Sequence, residues 1–156
     1  MIFALELAAA LGSGLIAGVF FAFSAFVMQS LARLPAGQGI AAMQTINVVI
    51  LKSAFMAVFL GTAALCVVAL IVSFLRWHEP DAIYLLAGSV LYLVGSFLVT
   101  IVFNVPRNDA LASIVPADST SAYRWTEYVA GWTIWNHVRT AASLAAAASF
   151  SVALGC

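Results

Sequence analysis

The hydrophobic pattern of this chain is nearly continuous, and it is read most easily from where polar residues interrupt it. No charge occurs between Glu6 and Arg33, between Lys52 and Arg76, or between Asp81 and Arg107. Each interval can hold the ~20 apolar residues that cross a bilayer at 1.5 Å per residue. Leu34-Pro35-Ala36-Gly37-Gln38-Gly39 predicts a turn, because proline and clustered glycines interrupt helical periodicity. A second helix is expected from Ile40 to Arg76. Trp77-His78-Glu79-Pro80-Asp81 is a short polar turn that makes helices two and three antiparallel neighbours. The third helix is expected to stop at the Asn104-Val105-Pro106 break. After a longer connection holding Asp109, Asp118 and Arg124, Ser119 or Thr120 is positioned to cap a fourth helix running towards Leu154.

These segments predict an all-α fold: an integral membrane four-helix bundle with both termini on one side. It would be a single domain, with spans at about 7–31, 46–75, 82–104 and 128–152. Gly12, Gly14, Gly18, Ser13 and Ser24 in the first helix would let a neighbour approach closely. Arg33, Arg107 and Arg124 fall on the side of loops one and three, with Lys52 and Arg139 nearest to it. The positive-inside tendency then puts loops one and three in the cytoplasm and the termini outside.

Composition agrees. The chain is 65% hydrophobic and 8% charged, against roughly 25% charged in soluble domains. A soluble domain of this length could not hide so much apolar surface. Net charge is zero with no basic run, which excludes a nucleic-acid partner. The N-terminus lacks the basic leader of a cleaved signal peptide, so the first segment is expected to be a retained helix. Cys66 and Cys156 predict neither a disulfide framework nor a metal cluster.

Polar residues inside an apolar helix are expensive and need a reason. Residues three, four and seven apart share a helix face, so Tyr128, Trp132, Asn136, Arg139 and Ser143 form one stripe on helix four, with Trp135 at its edge. Lys52, Asn104, Arg107, Met28 and Gln29 come from the other helices at the same end of the bundle. One reading is a pocket there, with Asn136 and Arg139 facing Lys52 and Asn104. The other is anchoring: Trp and Tyr form interfacial belts, and Lys or Arg near a helix end can snorkel. His78 and His137 fall at opposite ends of the bundle, more than about 15 Å apart by helical rise, so one haem between them is not expected. There is no metal-ligand spacing, phosphate loop or dinucleotide fingerprint, so no metal or nucleotide cofactor is expected.

Three stretches carry a likeness to known proteins. They are GLIAGVFFAFSAFVMQSLARLP followed by MQTIN, then FNVPRNDAL, then WTIWNHVRT. With them the sequence resembles the anthrone oxygenase-like family of small four-helix membrane proteins, over nearly its whole length. The resemblance implies oxidation of an anthrone to an anthraquinone by dioxygen, without a metal or flavin. In that chemistry Trp132 and Trp135 would sandwich a flat aromatic ring system. Arg139 and Lys52 would stabilise the carbanion left by proton removal. Asn104, Asn108 and Asn136 would orient carbonyl and phenol oxygens, and His137 would be the general base. The implied partners are the lipid bilayer, a hydrophobic aromatic molecule and dioxygen. Two other functions stay open: a non-catalytic carrier of an aromatic or quinone, and an accessory membrane subunit. Small-residue faces also permit a homo-oligomer.

Overall fold

A computed structural model of the protein describes residues 2–118 and 120–156. Among them the chain is helical throughout, with no strand. Five helices follow in order: α1, Ile2–Ala32; α2, Ala36–Ile50; α3, Ala54–Leu75; α4, Ala82–Ala112; and α5, Ser121–Ala153. Helices α1, α3 and α4 are long and apolar enough to cross a membrane. At 1.5 Å per residue the 31-residue α1 and α4 reach about 46 Å, more than the ~30 Å hydrocarbon core.

The surface explains what solvent the fold is built for. Leu11, Leu15, Phe21, Ile71, Phe74, Ile83 and Leu144 point outward and are more than half exposed, while Ser13, Ser73, Ser89, Ser96 and Ser143 are fully buried. An apolar exterior around small polar interior residues is unfavourable in water and suits lipid, where packing of small residues drives helix association. The protein is an integral membrane protein.

Helix α5 packs along α1 and α4, and α3 packs along the other side of both, so the four long helices close a ring. Small residues set the closest approaches. A Cβ on Gly12 of α1 would collide with the Thr62 hydroxyl of α3, and one on Gly95 of α4 with the Cβ of Ala142 on α5. Gly14 and Gly18 face open space instead, so only Gly12 among the α1 glycines serves a helix contact. The interior divides into two apolar clusters. One is built around Ile16, Phe20, Phe59, Leu85, Tyr92 and Phe150, the other around Met28, Ile40, Met43, Leu111, Trp125 and Trp132.

Two expectations about helix continuity are corrected. The single helix from Ile40 to Arg76 is two helices, α2 and α3, hinged at Leu51-Lys52-Ser53. Ser53 adopts extended backbone (φ −95°, ψ 166°), and its hydroxyl donates to the Ile50 carbonyl at 2.8 Å. That bond satisfies a helix-end acceptor, a local alternative to the helix that serine readily offers. Helix three does not stop at Asn104 but continues to Ala112. The residues just before Pro106 wind as a wide π-turn, Thr100–Asn104. A loosened turn accommodates the proline ring, which would otherwise clash with a carbonyl in the preceding α-turn.

The two short connections follow from their residues. Pro35, extended at φ −49° and ψ 137°, immediately precedes α2. The Arg76–Asp81 turn is tied by an ion pair at 2.6 Å. At the start of α5, Thr120 is the capping position but makes no side-chain cap; Ser119, the other expected cap, lies outside the described residues. Gln44 of α2 donates from Nε2 to the carbonyls of Leu111 and Ile114 at 2.9 and 3.0 Å. It satisfies acceptors left open where α4 ends and clamps α2 across the end of the ring.

Candidate functional site

The polar stripe predicted on the fourth helix is the buried face of α5. Tyr128, Trp132, Asn136, Arg139 and Ser143 are all buried. The snorkelling alternative is therefore answered for Arg139, which is only 4% exposed. Its guanidinium lies 4.2 Å from the ring centre of Phe20 and 5.0 Å from that of Trp132, held over aromatic faces whose quadrupoles attract cations. One terminal nitrogen donates to Asn136 Oδ1 at 2.7 Å and the other to Thr100 Oγ1 at 3.2 Å. Its Nε is buried without a partner. Among the described residues no carboxylate pairs with it, the ion pair found being Arg76–Asp81.

Asn136 is the residue that positions this cation. Its Nδ2 donates to the Phe20 carbonyl and to Ser24 Oγ, both at 2.7 Å. Its oxygen is thereby fixed towards Arg139. The Phe20 carbonyl lies just before a π-turn at Phe23–Val27, and widened turns loosen the regular carbonyl pairing of a helix. Thr140 completes the arrangement, donating to the Asn136 carbonyl at 2.8 Å and lying 3.2 Å from Ser24 Oγ. Thr100, the other ligand of Arg139, opens the π-turn of α4. Departures from regular helix thus flank the cation on both neighbouring helices, a common feature of functional sites.

Arg139 forms part of the wall of a cavity of about 430 Å³, in the size range of small-molecule sites. The cavity occupies the seam between the two apolar clusters. Phe20, Phe23, Phe55, Phe59 and Trp132 supply aromatic surface, and Gln44, Asn47, Thr100, Asn108 and Asp109 supply polar groups. Its mouth lies between the end of α2 and α4, where the lining residues Val48, Leu51 and Val105 are also exposed on the apolar exterior. Asn108 fixes one side of the wall. Its Oδ1 accepts from Tyr128 Oη and from Trp132 Nε1, each at 2.9 Å.

Of the residues singled out from the sequence, Arg139, Trp132 and Asn108 meet at this cavity, with Asn136 directly behind Arg139. Asn104 stands one layer back, donating to the Trp132 carbonyl at 3.3 Å. Four do not join them. Lys52 is exposed at the α2–α3 hinge, because the break turns it away from the bundle. His137 is exposed on the outer face of α5, about 100° round the helix from Asn136. Trp135 stacks on Phe103 with ring centres 3.5 Å apart and is not part of the wall. Arg107 is half-buried, donating to the Phe103 carbonyl and packing beside Gly131 of α5, away from this cavity. Phe20, Ser24, Gln44, Asn47, Thr100 and Asp109 were not anticipated from sequence. Among the described residues, no three of His, Cys, Asp and Glu come together as a metal site would require.

The family whose model matches this chain is described as anthrone oxygenase, over residues 52–149. That is well over half the sequence. The chain belongs to the anthrone oxygenase family. The stretch shared with the anthrone oxygenases includes α3, α4 and the segment of α5 carrying Trp132, Asn136 and Arg139. Phe20, Ser24, Gln44 and Asn47 precede it, so α1 and α2 complete a site whose cation lies inside the family region. No curated protein and no solved structure matches the chain.

Proposed function

We propose that this anthrone oxygenase family member is a membrane-embedded oxygenase acting on a flat, hydrophobic, anthrone-type substrate with dioxygen and no cofactor. α5 is its fourth membrane-crossing helix, and loops one and three lie in the cytoplasm. The observation that carries this reading is Arg139, a buried guanidinium on the wall of an aromatic cavity with no carboxylate partner among the described residues. A buried charge without a counterion is costly, and the cost is offset when the missing anion is the reacting species.

An anthrone fits both demands. Its ring system is large and apolar, suited to a cavity walled by Phe20, Phe55, Phe59 and Trp132 that opens on the apolar exterior. Loss of a methylene proton gives an anion delocalised onto the carbonyl oxygen. Arg139 favours that anion over the neutral ketone, which is differential stabilisation of the charge that develops. The anion is electron-rich enough to reduce dioxygen. A carbon–oxygen bond forms at the former methylene, and protonation yields a hydroperoxide. Loss of water then leaves the second quinone carbonyl, so one dioxygen is consumed and one water released per quinone.

The test is quinone formation from emodin anthrone in air by the purified protein, measured against autoxidation. Removing one preorganised charge stabiliser typically costs about 10²–10³ in rate, so Arg139→Ala should fall to within a few-fold of the uncatalysed rate. Wild-type protein no faster than autoxidation would sink the reading for this substrate. Tight binding with the anthrone recovered unchanged under oxygen would mark the protein as a carrier.

A further inference from the structure

The oxidation needs a proton acceptor, and the sequence pointed to His137, which the fold leaves on the outside of α5. The cavity wall holds two ionisable side chains among its described lining residues, Arg139 and Asp109. We propose that Asp109 is the catalytic base that takes the substrate's methylene proton while Arg139 holds the resulting anion. This rests on the oxygenase reading above.

The placement comes from the helix that did not stop. Because α4 continues through Pro106 to Ala112, Asn108 and Asp109 lie on helix rather than in a loop. Asp109 is nine residues beyond Thr100, the side chain that receives Arg139. The first of these residues wind as the π-turn Thr100–Asn104, so the two backbone levels lie less than about 13 Å apart, the full α-helical rise. A flat ligand filling the cavity can thus be bound through its carbonyl oxygen by Arg139 and deprotonated from the side of Asp109. The carboxylate and the guanidinium do not neutralise each other directly: no ion pair joins them. Both border one cavity, so a ligand that fills it meets both.

Exposure also suits the role. Arg139 is buried where charge must be stabilised, whereas Asp109 is exposed and also borders the cavity. An exposed carboxylate three residues from the end of α4 can pass its proton to the polar loop side after each turnover; one sealed inside could not reset without a relay. The remaining polar lining groups, Gln44, Asn47, Thr100 and Asn108, are amides and a hydroxyl, which do not serve as bases near neutral pH. Glu127 lines a separate cavity with Arg107, Arg124 and Tyr128, behind the Asn108–Tyr128 hydrogen bond.

Proton removal can be read apart from oxidation by following anthrone methylene hydrogen–deuterium exchange in D2O without oxygen. Wild-type protein should accelerate exchange, and Asp109→Asn should lose at least tenfold of that acceleration. Asp109→Glu should retain most of it, and anthrone binding, read by quenching of tryptophan fluorescence, should stay within twofold in both variants. Exchange within twofold of wild type in Asp109→Asn would overturn the assignment, as would wild-type exchange no faster than buffer. Fast exchange that depends on Asp109, with no quinone formed when oxygen is admitted, would support the base and refute the oxygenase reading.

Discussion

Asn136 and Arg139 should contribute unequally to stability, and the contrast follows from which charges would be left unpaired. Replacing Arg139 by Met removes two hydrogen bonds of roughly 1.5–3 kcal/mol each and two ring contacts of roughly 0.5–2 kcal/mol each. It also removes a desolvation penalty of several kcal/mol. These opposing terms are of similar size, and no carboxylate is stranded because none among the described residues is ion-paired with the cation. Arg139→Met should therefore change stability by less than about 2 kcal/mol. Asn136→Ala removes the bonds to the Phe20 carbonyl and Ser24, and strips the shortest hydrogen bond from a charge that stays buried. Its expected cost is about 3–5 kcal/mol. In the double variant the stranded charge is gone, so its cost should fall short of the summed single costs by about 1–3 kcal/mol. Thermal unfolding in one detergent, followed by circular dichroism for all four proteins, reads these differences. If Arg139→Met is more destabilising than Asn136→Ala, Arg139 is a structural pillar and the reasoning fails.

Lys52→Ala and His137→Ala should each keep anthrone turnover within about twofold of wild type, since surface changes of this kind rarely exceed ±0.5 kcal/mol; a tenfold loss in either would show that the exposed position is not the working one. Asn108→Ala leaves the Tyr128 hydroxyl and Trp132 indole without their shared acceptor, at roughly 1–3 kcal/mol per orphaned donor, readable as a lowered unfolding temperature and altered tryptophan emission. Gly95→Leu drives a side chain into Ala142 on α5 and should cost about 1–3 kcal/mol, whereas Gly14→Leu meets open space and should unfold near the wild-type temperature.

The long helices were legible because charge-free intervals and their polar boundaries are direct consequences of bilayer thickness. The buried face of α5 was legible for a related reason: Tyr128, Trp132, Asn136, Arg139 and Ser143 keep helical spacing through a region where polarity must be hidden. Residues outside that logic were misplaced. An unbroken second helix would carry Lys52 into the bundle beside Arg139, and the break that prevents this is local, marked by Ser53 bonding back to Ile50. By sequence Asp109 falls in a loop, because Pro106 is a strong helix terminator, and the π-turn that tolerates the proline leaves no obvious signature in composition. Phe20 and Ser24 were ordinary members of an apolar helix until tertiary packing set them against Asn136. Contacts between helices carry no periodicity of their own, so pattern alone could not select them.

The central claim is that an unpaired cation in an aromatic cavity stabilises the anion of the substrate. It is tested most directly by an anaerobic ultraviolet–visible titration of the anthrone with purified protein at neutral pH. Wild-type protein should generate the red-shifted absorption of the anthrone anion as it binds, and Arg139→Gln should bind the neutral form without that band. Identical neutral spectra and equal affinities for both proteins would contradict the account.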